Sequence, residues 1–69
     1  MMDKMNYEYL KEIARTMFLL GKFKSSLEAA NDAVKIRRDW ELEFLFGKIS
    51  VALGDPEKAA DHFTKALEM

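Results

Sequence analysis

The chain has a single histidine, His62, placed between Asp61 and Phe63. A metal site would need further histidines or cysteines at ligand spacing. There is no cysteine and no second histidine, so His62 is expected to be a surface or partly packed side chain. Glu8, Glu12, Glu41 and Glu43 could be paired on paper as acid and base, but charged helix faces account for all four. Ser25 and Ser26 have no base beside them; a helix start explains the first and close packing the second. The three glycines stand apart from one another, so no glycine-rich phosphate loop is present. Lys35, Arg37 and Arg38 could hold a phosphate, but they fall in the last turn of a helix, where positive charge complements the negative helix end. The expectation is a protein without a catalytic residue, a cofactor or a metal.

Positioning elements come from apolar spacing. Leu10, Ile13, Ala14, Met17 and Leu20 recur as a helical stripe over 7–20, with Glu8, Lys11, Glu12 and Arg15 on the polar side. Residues before Tyr7 read as frayed or as a short extension. Gly21 ends this helix, because glycine takes the left-handed terminal conformation at little cost. A second helix is expected over about 24–37, with Leu27, Ala30, Ala33 and Val34 inward. Asp39 reads as the N-cap of a third helix from Trp40, with Glu41 and Glu43 in its first turn. That helix is apolar nearly all round and should be buried on more than one side, with Trp40 as a core anchor. Gly54 closes it. Asp55 caps a fourth helix with Pro56 at its first position, and Ala59, Phe63, Ala66 and Leu67 turn inward.

Composition limits what such a chain can do. Its 69 residues make one small domain, whose core alone supplies about 3–5 kcal/mol. Eleven basic against twelve acidic residues leave a net charge of −1, a poor basis for nucleic-acid binding. The longest apolar run, Met17 to Leu20, is far too short to span a bilayer, and the first residues carry no signal-peptide segment. A cytoplasmic protein with no membrane and no nucleic-acid partner is expected.

A shift of 33 residues lays Tyr7 on Trp40, Ala14 on Gly47, Gly21 on Gly54, Ser26 on Ala59, Ala30 on Phe63 and Val34 on Leu67. Ala14 and Gly47, and Ser26 and Ala59, are small where two antiparallel helices must approach, and Phe63 is expected to fill space farther along. Phe46, Gly47, Ala59, Phe63 and Ala66 match the Leu, Gly, Ala, Phe and Ala of the tetratricopeptide pattern. Leu10, Ile13, Ala14, Met17, Ser26, Ala30 and Ala33 take the corresponding places of a first unit. Glu43 and Ser50 depart from the pattern's Trp and Tyr, and Arg38 stands at its Pro. Over about residues 7–69 the chain thus resembles two tetratricopeptide repeats, about 7–39 and about 40–69.

That resemblance implies an all-α fold: a right-handed α-solenoid stack of two antiparallel helical hairpins forming one domain over 1–69. It also implies a non-enzymatic scaffold whose first helices line a groove for a peptide or partner helix. By register the groove residues are Glu8, Lys11, Glu12, Arg15, Phe18 and Leu19 with Glu41, Phe44, Leu45, Lys48, Val51 and Ala52, and of these Lys11, Arg15, Phe18, Phe44, Lys48 and Val51 are expected to bind the partner. Lys11 fits a lysine of the family's carboxylate clamp, whereas Arg15 and Leu45 stand where asparagines are expected, so a true clamp is not expected. Phe18 and Phe44 are expected either to face a partner or to pack on each other. The alternative function is self-association as a homodimer or larger assembly, favoured by a fourth helix without a polar cap. A third is RNA binding, set against the acidic balance.

Overall fold

The computed structural model describes residues 3–69, with side chains from Asn6 onward. Four helices run through it: α1 (Asp3–Leu19), α2 (Phe23–Ile36), α3 (Trp40–Ala52) and α4 (Pro56–Glu68). Helix α1 begins at Asp3, so the residues just before Tyr7 extend it; Met1 and Met2 lie outside the described residues. Helix α2 starts one residue earlier than expected, at Phe23, which leaves Ser25 exposed inside the helix and capping nothing.

Both hairpin turns use the same backbone device. At the first, Lys22 N–H donates to Met17 O at 2.8 Å and Gly21 N–H to Phe18 O at 3.0 Å. At the second, Asp55 N–H donates to Ser50 O at 2.8 Å and Gly54 N–H to Val51 O at 3.0 Å. This double closure needs a left-handed residue, and Gly21 and Gly54 supply it with φ of 79° and 83°. The Asp39 side chain accepts from Leu42 N–H at 2.8 Å and that of Asp55 from Lys58 N–H at 3.1 Å, so both expected N-caps are made.

The short turns fold α1 on α2 and α3 on α4 as antiparallel hairpins, and α3 joins them by packing on both α1 and α2. Among the described residues, α4 packs on α3 alone. The Cα envelope is 14 Å through its thinnest direction, about the depth of two helix layers whose axes lie roughly 9 Å apart. Every helix in such a slab keeps a side that no other helix of the slab covers.

Core packing centres on Tyr7, Ala14, Ala30, Ala33, Leu42, Leu45, Phe46 and Ile49, all buried. Trp40 is not among them. It is 56% exposed, so the expected core anchor is a surface residue, and its register mate Tyr7 does that work. Tyr7 is covered because its hydroxyl donates to Asp39, and no described residue stands in that relation to Trp40.

The two hairpins solve close approach differently. In the first, Ala14 faces α2 and its carbonyl accepts from the buried Ser26 hydroxyl at 2.6 Å. In the second, the half-buried Phe63 ring lies directly on Gly47: a Cβ there would sit 2.8 Å from Cζ and nearer still to Cδ1 and Cε1. Phe63 therefore covers the glycine itself instead of filling space beyond it. Ala14 with Ala30 and Gly47 with Phe63 are compensating pairs at the same register.

Candidate functional site

Helices α1 and α3 form a trough on one side of the slab. One end is a depression of about 200 Å³ between Lys11 and Arg15 of α1 and Trp40, Glu41, Phe44, Leu45 and Lys48 of α3. A second depression of about 140 Å³ continues it past Phe18 and Leu19. Arg15, Leu45 and Lys48 line both, so the trough is continuous along the helix pair.

Of the residues expected to bind a partner, Lys11, Arg15, Phe18, Phe44 and Lys48 meet there. Val51 does not; it is exposed one turn farther along α3, outside both depressions. The walls are aromatic, and their rings do not pack on each other. Phe18 tilts against Phe23 at 5.4 Å and Phe44 against Phe63 at 5.3 Å. Lys48 lies between, its ammonium 5.2 Å from the Phe18 ring and 5.3 Å from the Phe44 ring. Ring quadrupoles hold a cation in that place, and no described carboxylate forms an ion pair with it. Arg15 is exposed and pairs with Glu12 at 3.5 Å.

Lys11 lines the trough but directs its ammonium into the protein. It is buried, donating to Asp39 Oδ2 at 3.1 Å and Glu41 Oε1 at 2.5 Å. Burial alone would lower its pKa, but the bonds to Glu41 and Asp39 outweigh that and raise it above the ordinary lysine value. Burial would likewise raise Asp39, yet the bonds from Tyr7, Leu42 N–H and Lys11 hold its carboxyl below the usual range. Tyr7 is pushed up to about 12, first by burial and then by its bond to Asp39. One N-cap aspartate thus caps α3 and ties α3 to α1.

Glu43 is a second polar junction that sequence reasoning placed on a charged face. It is buried, with Arg38 Nε donating to Oε2 at 2.7 Å and His62 Nδ1 to Oε1 at 2.9 Å. Arg38 therefore serves this carboxylate instead of the end of α2. His62 also stacks on Phe46 at 5.1 Å. Burial would raise Glu43, but His62 and Arg38 prevail and keep it low. A signal was present in the register: Glu43 and His62 replace Leu10 and Ala29, so an apolar pair gives way to a complementary polar one.

These junctions make stability depend on pH at both ends. Asp39 and Glu43 have depressed folded pKa values, so their contribution is complete above about pH 5 and is lost as pH falls through and below about 4. Tyr7 has a raised folded pKa, so its contribution is intact below the ordinary 10.0 and is lost as pH rises toward about 12. Thermal midpoints measured from pH 2 to 12 should fall at both ends, and Glu43→Gln should shrink the acid arm alone. An acid arm unchanged in that variant would show that Glu43 does not carry it.

Among the described residues, no helix is long and apolar enough to cross a membrane. No family model matches the chain, and no solved structure matches it. Three curated proteins do. It is 39% identical over 61 residues to the BBSome complex member BBS4 of Bos taurus, which takes in 87% of this chain and 12% of that protein. The same protein of Xenopus tropicalis is 38% identical and that of Mus musculus 39%, with the same coverage. The chain therefore spans only about an eighth of the length of these relatives.

Proposed function

We propose that this chain is a non-enzymatic protein–protein interaction module of tetratricopeptide-repeat type, holding a peptide or partner helix in the trough between α1 and α3. The observation that carries the reading is the trough: exposed Trp40 and Phe44 stand beside the cations Arg15 and Lys48 over a floor of Leu45. An apolar groove with a few fixed charges suits an extended or helical peptide. The likeness to BBS4, named as a member of a complex, supports a protein as the partner. Lys11 shapes the floor, and Arg15 and Lys48 favour a segment bearing carboxylates.

Titration with short acidic-aromatic peptides, followed by the emission of the single tryptophan, tests this. Lys48→Glu and Arg15→Glu should each weaken binding about tenfold or more, since reversal places like charges together. Affinity unchanged in both variants would remove the trough as the binding surface.

A further inference from the structure

Helix α3 lines a second cleft on its other side. Phe46 and Ser50 stand two residues from Phe44 and Lys48, about 200° around the helix, so they turn away from the trough. With Ile49 and Leu53 they floor a cleft of about 510 Å³ between α2 and α4, which shares no residue with the trough. The cleft is open because, among the described residues, α4 packs on α3 and not on α2. Its volume falls within the roughly 300–1,000 Å³ of binding sites. Phe46 and Ile49 are buried at its base, but Leu27 is only half-buried and Leu53 is 43% exposed. Apolar surface is therefore left for an occupant.

The α4 rim of this cleft carries Lys58, Asp61 and Lys65. Spacings of three and four place them on one stripe of the helix. All three are exposed. None makes an ion pair among the described residues, whereas Glu12 with Arg15 and Asp32 with Lys35 do so at a spacing of three. Neighbouring polar groups are already engaged: His62 Nδ1 with Glu43, and the Asp55 carboxylate with Lys58 N–H. Across the cleft α2 offers the uncharged Asn31, so α4 sets the charge pattern: positive, negative, positive along an apolar floor.

We propose that the cleft between α2 and α4 is a second docking site, for an amphipathic helix of a partner protein that carries acid, base and acid at places i, i+4 and i+7 beside an apolar stripe.

The spacing selects a helix. Along α4 the second charge stands about 4.5 Å and the third about 10.5 Å from the first. A partner helix running antiparallel to α4, as α3 does, has the same rise and meets them one for one. Its acids fall on Lys65 and Lys58 and its base on Asp61. An extended strand returns to one face only every 6.6 Å or so and misses the middle charge. Exposed ion pairs add little affinity, so the floor supplies the binding and the stripe supplies the selection. The reversed order would set like charges together. This site goes beyond the peptide trough, and neither needs the other.

The test uses the full chain and two labelled peptides of about 20 residues, long enough to hold a helix. Both are helical by circular dichroism and carry the same leucine stripe. One has Glu, Lys and Glu at i, i+4 and i+7; the other has Lys, Glu and Lys. By fluorescence anisotropy the first should bind about tenfold or more tighter. The triple change Lys58→Glu, Asp61→Lys and Lys65→Glu should invert that preference, and Lys65→Glu alone should lower it about threefold or more. Arg15→Glu and Lys48→Glu should leave it unchanged, so failure of the trough and failure of this cleft are told apart. Amide shifts of the parent chain give a readout that needs no variant to fold: Leu27, Asn31, Leu53 and Lys65 should move with the first peptide, and Arg15, Phe44 and Lys48 should not. No binding of the first peptide, equal affinity for the two, a preference that the folded triple variant does not invert, or shifts confined to the trough would overturn the proposal.

Discussion

Replacing Lys11 with methionine should lower stability by about 2–3 kcal/mol, most of the roughly 3–5 kcal/mol available to a domain of this size. Methionine keeps the apolar stem packed, so the loss falls on the charge. The ammonium is the junction between α1 and α3: it meets Asp39 Oδ2 at 3.1 Å and Glu41 Oε1 at 2.5 Å while its own side chain is only 8% exposed. Removing one partner of a buried pair costs about 3–5 kcal/mol, because the other charge is left desolvated. The figure is reduced here because Asp39 keeps its bonds from Tyr7 and Leu42 N–H. Glu41, 47% exposed, can turn to water, so Glu41→Gln should cost less than about 1 kcal/mol. Urea unfolding measures both. A Lys11→Met protein within about 0.5 kcal/mol of the parent, the usual range of a surface change, would mean that the pair is not a stability element.

Gly47→Val should destabilise by about 2–3 kcal/mol, since the added carbons enter the space of the Phe63 ring and must drive it off α3. The diagnostic is a change of sign. Gly47→Ala should be destabilising in the parent chain, where the methyl meets the ring. In a Phe63→Ala background the same change should stabilise by up to about 1 kcal/mol, because the ring is gone and alanine is the better helix former. The double variant restores at this place the Ala14 and Ala30 arrangement of the first hairpin. If Gly47→Ala had the same effect in both backgrounds, the ring would not be the reason for the glycine.

These two substitutions bear on the functional surfaces in different ways. Lys11 fixes the angle at which α1 and α3 flank the trough, and the Gly47–Phe63 contact sets Phe44 through the ring pair at 5.3 Å. A change at either site should reach partner binding through position, without removing a side chain that touches the partner.

What the sequence determined by itself is the set of helix ends, and through them the two hairpins. Gly21, Asp39, Gly54, Asp55 and Pro56 act on backbone groups within five residues of themselves. A signal of that range needs no knowledge of the rest of the fold, and the first turn of α2 was misjudged by a residue where Lys22 supplies no side-chain cap. What only the tertiary structure decided is which charged and aromatic residues are inside. Lys11, with its surface-type sequence pattern, is buried because Asp39 and Glu41, 28 and 30 residues away, supply two carboxylates. Glu43 is buried because His62, 19 residues on, and Arg38 meet it from two sides. Trp40, the natural choice for a core, stays outside because it lines the open trough between α1 and α3, where no described side chain closes over it. Burial of a charge or a ring depends on what arrives from elsewhere in space, and helical periodicity says only which residues share a face.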